Sequence, residues 1–313
     1  MLQLMLHAHP RIAIPPETRF VLAAYAKRRT FGDLGDPQRR RALGRWIVDH
    51  PESKFADLGL DPSATLDRIT AEAATLGSAL GVVFQAYAAR FGKPRWGDKR
   101  PAYLQNLDVI LRLFPNAQIV NIVRDGRDCV ASLKEMSWHR HGLHATVAAW
   151  ARAVDDARRA ERRLRSDQWH QLRYEDLVAD PAAELTRLCA YLGEDYDPAM
   201  AYPAQVARVA VPAHKKWHQR THGPVTTQRV RSWQTRLTAA EIALCEAALG
   251  SRLAACGYEL SGAPRPRRGE LLRYSVTATP HRLAPAKRGL TRAAVRLRAE
   301  PEVAHPARGH RPQ

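Results

Sequence analysis

The sequence predicts an α/β fold, and three observations carry that expectation. Residues 118–123 form an apolar, β-branched-rich run of strand length. The run ends in the turn Arg124-Asp125-Gly126-Arg127, where Asp125 reads as a helix N-cap and Asp128 stands in for the Glu of a capping box. A second alternating run, residues 169–174, leads through Pro181 into a helical segment at 184–192. Much of the remaining chain carries apolar residues at helical spacing. With 313 residues and 45% apolar content, it is long enough to bury one large domain with appendages.

Charge narrows the partners. A formal net charge of +18 favours nucleotides, sulfated or phosphorylated ligands, nucleic acid or an acidic membrane face. Residues 262–313 hold twelve Lys or Arg against three Glu, so half the excess lies in the last sixth of the chain. Cys129, Cys189, Cys245 and Cys256 have no paired spacing and read as reduced thiols of a cytoplasmic protein, not as a disulfide frame or metal site. No apolar run reaches about 18 residues, so no membrane span is expected. Residues 1–6 are too short for the apolar core of a signal peptide. A P-loop kinase is disfavoured because GxxxxGK[ST] does not occur.

Taken in order, the chain opens inside an apolar helical pattern that Pro10 ends. No cap precedes it, so a preceding segment is expected. Pro15 and Pro16 then fix the backbone ahead of Glu17 and Arg19, which read either as a surface ion pair or as a carboxylate and a cation at a cleft edge. Residues 20–92 are mostly helical, with breaks at 31–37 and 50–63 where Gly, Pro and Asp gather. Residues 71–89 form an amphipathic core helix. The cationic loop 93–101 carries Lys99, read as a solvated charge or as a partner for a leaving phosphate. Helix returns at 103–114, before the central strand.

The strand, turn and helix start after residue 118 make an anion corner, with free N–H groups and the positive end of the helix dipole. Arg124 can clamp a phosphate by two parallel hydrogen bonds, and Ser132 can add a hydroxyl if the strand feeds back over the helix. The plainer reading is an ordinary βα corner with a solvated Arg. The His-rich run 139–144 reads as a loop, and 146–165 as a charged helix. Tyr174 stacks on a base or simply packs. Residues 209–233 resemble a basic flap ahead of a helix capped at Thr238 with Glu241. The tail 261–313 reads as flexible, with one amphipathic stretch at 290–297. Tyr274 is its one aromatic, which argues against nucleic acid and leaves a weak membrane-surface contact.

The order AHPxIxxPPETR, GDKxP, FPNAxIVxIVRDGRDxVAS, RYEDLxxDP and a basic loop ending in Ser-Trp resembles the PAPS-dependent sulfotransferase family, nearest its bacterial and tyrosylprotein sulfotransferase-like branch. PAPS is 3′-phosphoadenosine 5′-phosphosulfate, the sulfuryl donor. The resemblance covers residues 1 to about 260 and implies a P-loop-NTPase-like parallel sheet flanked by helices, with a helical insert at about 20–92. It implies that Arg124 and Ser132 hold the 3′-phosphate, that Arg127 assists and that Tyr174 contacts the nucleotide. Glu17 becomes the catalytic base, Arg19 faces the acceptor and Lys99 stabilises the leaving side, with no metal in the scheme. The basic loop closes over the donor; it has Gly223 where relatives carry Lys, so His222 or Lys215 and Lys216 would substitute.

The resemblance also implies a departure. The family's RSGTT-type 5′-phosphosulfate loop ends a first strand directly before a helix like that of residues 2–9. The expectation is that this strand and loop are missing here because Met1 is an internal methionine, with a shortened inactive paralogue as the alternative. The competing class is a non-enzymatic basic protein that binds anions or a membrane surface. The acceptor hydroxyl, on carbohydrate, lipid, small molecule or protein tyrosine, is left open.

Overall fold

A computed structural model of the chain describes residues 1–206, 223–296 and 303–306. The expected sites of the substitute cations, Lys215, Lys216 and His222, lie outside the described residues, as do all the side chains of the stretch 290–297. The chain divides into two compact units, one of Met1–Gln118, Leu185–Val225 and Glu300–Gln313, the other of Ile119–Glu184 and Thr226–Ala299.

In the first unit, helix α1 (Leu2–Ala8) stops before Pro10. Strand β1 (Ile12–Ala13) then pairs in parallel with β2 (Arg95–Trp96), Ile12 opposite Arg95. Between the strands lie α2 (Phe20–Ala26), α3 (Arg28–Phe31), α4 (Pro37–Asp49), α5 (Pro62–Glu72) and α6 (Leu76–Arg90). Their starts are written locally. Asp36 and Asp61 accept backbone N–H bonds ahead of Pro37 and Pro62, where a missing donor costs nothing. Thr75 and Ser78 close a reciprocal capping box on α6. Its Phe84 and Tyr87 are fully buried, and Phe84 stacks on Trp96 of β2 at 4.8 Å. Residues 303–306 lie along this helix: Gly77 N donates to the Val303 carbonyl at 2.8 Å. A Cβ on Gly77 would sit 2.5 Å from His305 N, so only glycine admits that approach.

After β2 the expected helix from residue 103 starts instead as a 3₁₀ turn, Pro101–Asn106, before α7 (Leu107–Leu113). In the second unit, β3 (Ile119–Val123) pairs in parallel with β4 (Trp169–Arg173) over five residues. The described strands therefore make two separate parallel pairs, one in each unit. Helices α8 (Gly126–Lys134) and α9 (Leu143–Glu161) lie between β3 and β4 in sequence, and α10 (Tyr174–Ala179) follows β4. Helix α11 (Pro181–Leu192) crosses the boundary between the units. Then come α12 (Trp233–Arg236), α13 (Ala239–Ala255) and α14 (Arg268–Arg296). Thr238 and Glu241 form the expected capping box on α13.

The tail departs from expectation. Its Arg268–Arg296 stretch is one helix rather than a flexible segment, and Tyr274 and Ala278 are buried in the core with Val147, Leu244 and Leu249. Burial of that stripe supplies the driving force. The opposite face leaves Leu272, Val276 and Leu283 exposed. No helix among the described residues is long and apolar enough to cross a membrane.

Candidate active site

The anion corner is built in the second unit, where β3 ends and α8 begins. Asp125 caps α8 by accepting from Arg127 N. Trp150 of α9 lies against Gly126, where an added Cβ would meet its ring at 2.8 Å, and its Nε1 donates to the Arg124 carbonyl at 3.0 Å. This close packing holds the backbone of Arg124 at the strand end. The Arg124 guanidinium then reaches Ser132, eight residues on, with Nη1 to Oγ at 3.4 Å. Its Nη2 donates to the Arg229 carbonyl at 2.8 Å, and the group lies 4.4 Å over the Tyr174 ring. Arg124 Nε is buried with no acceptor among the described residues. A guanidinium with a spare buried donor beside a hydroxyl fits a phosphate, which carries acceptors in excess. Burial pushes the Tyr174 phenol above its usual range, so it stays protonated.

Three further residues fasten this corner. Glu175 accepts from Asp125 N at 3.0 Å and from the Tyr258 hydroxyl at 2.8 Å. Asp128 is not a capping residue as expected: its Oδ1 accepts from Ser232 Oγ at 2.9 Å and Trp233 N at 2.8 Å. These bonds pin the end of the basic loop to α8. Burial raises the Asp128 carboxyl above its usual value, against the pull of the Ser232 bond.

Arg127 does not join Arg124. Its guanidinium is buried and bonded to Asp125 through Nε and Nη2, to Glu246 at 2.6 Å and to the Glu259 carbonyl at 2.8 Å. It also covers the Trp233 ring at 4.0 Å. Each of its three nitrogens donates to a protein acceptor, so four of its five N–H groups are committed inside the core. Burial alone would lower its pKa, but the Asp125 and Glu246 bonds hold it above the ordinary value.

The second constellation lies in the first unit, on the loops that follow β1 and β2. Glu17 Oε2 and Lys99 Nζ are 3.3 Å apart, both partly exposed. Glu17 thus pairs with Lys99, whereas Arg19 is exposed and stands at the N-cap position of α2 without a side-chain capping bond. Its amide donates to the Ser53 carbonyl at 3.1 Å, and its own carbonyl accepts from Arg100 at 3.4 Å. Beneath the pair sits a residue that sequence reasoning passed over. Asp98 accepts from Thr18 Oγ1 at 2.9 Å, from Lys99 N at 2.9 Å and from the Tyr103 hydroxyl. Only its place beside Lys99 could have marked it.

Comparison with known proteins follows this geometry. A family model described as "Sulfotransferase family" matches residues 1–198. The chain belongs to the sulfotransferase family. It is 28% identical over 283 residues to nodulation protein NoeE of Sinorhizobium fredii, covering 82% of this chain and 62% of that protein. It is 31% identical over 110 residues to the omega-hydroxy-beta-dihydromenaquinone-9 sulfotransferase Stf3 of Mycobacterium bovis, covering 30% of this chain and 28% of the relative. The protein-tyrosine sulfotransferase of Drosophila melanogaster is 23% identical over 210 residues, 64% of this chain and 37% of its own length. The chain therefore spans less than two thirds of the length of each of these three relatives. Among solved structures, the sulfotransferase domain of the curacin biosynthetic pathway matches with a TM-score of 0.58 at 18% identity, over 83% of this chain and 93% of that one. The domain of the Synechococcus PCC 7002 olefin synthase matches at 0.57 and 20%, over 83% and 90%. These two matches establish the shared fold, with its parallel strands among helices.

Proposed function

We propose that the protein is a cytoplasmic sulfotransferase that moves the sulfuryl group of PAPS to an acceptor hydroxyl. The observation that supports this reading most directly is the convergence of Arg124, Ser132 and Tyr174 on the corner between β3 and α8, in a chain of this family. In this reading Arg124 and Ser132 hold the 3′-phosphate, and Tyr174 packs beside the nucleotide. Arg127 is left out of the donor contacts, because it holds the core together. Lys99 neutralises charge on the leaving side and Glu17 takes the acceptor proton. Arg19, exposed at the same loop, faces the acceptor.

The chemistry asks for positioning and positive charge more than for covalent work. Sulfuryl transfer resembles phosphoryl transfer, with a loose transition state whose charge spreads over the equatorial oxygens. The Glu17–Lys99 pair supplies a carboxylate and an ammonium at one place, the two charges that proton removal and leaving-group stabilisation require. The acceptor class spans carbohydrate, lipid, small-molecule and tyrosine hydroxyls. The relatives' own names include a menaquinone derivative and protein tyrosine.

The test is titration calorimetry with PAP, the spent nucleotide, together with transfer of labelled sulfate from PAPS to a panel of those hydroxyls. Arg124→Ala should raise the Kd for PAP about tenfold or more, the scale of one charge-assisted hydrogen bond of about 1.5–3 kcal/mol. An unchanged Kd removes Arg124 from the phosphate site. Absence of PAP binding by the unaltered protein removes the donor assignment altogether.

A further inference from the structure

Two loops in the first unit carry the residues assigned to chemistry, and they are far apart in sequence. Glu17 follows β1 and Lys99 follows β2. Each has an immediate neighbour turned inward: Thr18 is fully buried, and Asp98 meets it through Oδ2 at 2.9 Å. The other Asp98 oxygen accepts from the amide of Lys99 itself at 2.9 Å. The Tyr103 hydroxyl closes on Oδ2 from the 3₁₀ turn beyond. One carboxylate is thus bonded to the backbone of one reacting residue and to the side chain next to the other.

We propose that Asp98 is a positioning residue for sulfuryl transfer, clipping the Glu17 loop to the Lys99 loop so that base and cation meet at a fixed separation. The inference rests on the reading of Glu17 and Lys99 given above. It explains why a carboxylate, not an amide, occupies this position. Three donors converge on it and none of them needs an acceptor turned into a donor. It also accounts for the 3.3 Å approach of two side chains that are each partly solvated. Exposed ion pairs hold little geometry by themselves, because side-chain entropy and water compete with the contact. Burial pushes the Asp98 carboxyl up to about 6, against the hydrogen bonds from Tyr103 and Thr18, so the clip is made with a costly charge.

The experiment compares Asp98→Asn, Thr18→Val, Thr18→Ser and the Asp98→Asn/Thr18→Val double variant in the full chain. Backbone hydrogen exchange is read over residues 15–19 and 97–103, and sulfuryl transfer from PAPS is measured with 4-nitrophenol and with water. Exchange should rise several-fold in both segments in Asp98→Asn. Turnover should fall about 10- to 100-fold, as misplacement of reacting groups by about 1 Å does. The KM for PAPS and the Kd for PAP should stay within twofold. The double variant should be no slower than the worse single one, and Thr18→Ser should restore turnover. Exchange that does not rise in the loop at 15–19, or losses that add in the double variant, overturns the clip. Should the unaltered protein transfer no sulfate, the functional reading fails, and the exchange data alone decide whether Asp98 joins the loops.

Discussion

Around Arg127, in the second unit, one buried cation is met by two carboxylates and a carbonyl. Around Asp98, in the first unit, one carboxylate is met by two hydroxyls and an amide, with Lys99 facing outward to Glu17. The first cluster compensates charge inside the core. The second meets its charge chiefly with neutral donors, and Lys99 adds only a weaker pull. Burial would raise Glu246, yet hydrogen bonds from Ser261 and Arg127 hold it below the usual carboxylate range. Asp98, with hydroxyl donors instead of a guanidinium, ends up above that range. Burial dominates at Asp98 and hydrogen bonds dominate at Glu246, so the two carboxyls shift in opposite directions. The difference separates a group that holds the fold from a group held in place by it.

The largest effect should come from the compensated cluster. Arg127→Met leaves Asp125 and Glu246 buried without their cation, and breaking a buried pair costs about 3–5 kcal/mol. Urea denaturation should show that loss, with PAP binding retained by the folded fraction. If stability holds and PAP affinity falls instead, Arg127 belongs to the phosphate site after all.

Next comes the exposed pair above Asp98. Glu17→Gln should lower turnover about 10²-fold or more, the usual scale for losing a general base, while PAP affinity and the melting temperature stay put. An exposed charge with one partner at 3.3 Å contributes little to stability, so the two readouts should separate cleanly. Undiminished turnover would take the base role away from Glu17.

The same contrast marks what was legible in the sequence. β3, β4, α6 and the Thr238–Glu241 cap follow from patterns contained within a few residues, and the Arg124–Ser132 pair from an eight-residue spacing on one strand and helix. Asp128 read locally as a cap, but its partners lie 104 and 105 residues away. The resemblance placed Arg127 beside the phosphate, and its bond to Glu246, 119 residues on, leaves no signal at position 127. β1 and β2 have two residues each, too few for any period to show. In α14, Pro280, Pro285 and the abundant Arg masked the spacing of Leu271, Tyr274 and Ala278, which pack into the core. The link from Asp98 to Thr18 spans 80 residues and joins two loops, so no periodicity could announce it.

The smallest effect is also the one with the most informative sign. The Asp98 carboxyl is raised from 3.8 to about 6 in the folded protein, so the folded state holds that proton more tightly than the unfolded chain does. The stability from this group is fully present below about 3.8 and is lost as pH rises through about 6. At about 1.4 kcal/mol per unit, the cost of keeping Asp98 ionised at pH 7.5 is at most about 3 kcal/mol. Asn at this position carries no such cost, although it forfeits bonds that an ionised acceptor makes well. The stability of Asp98→Asn relative to the unaltered protein should therefore rise between pH 4.5 and pH 7.5, and other carboxylates cancel in the difference. Urea denaturation of both proteins across that window reads it directly. A flat or falling difference would mean that the Asp98 charge is not held at a cost, and the contrast with the Arg127 cluster would dissolve.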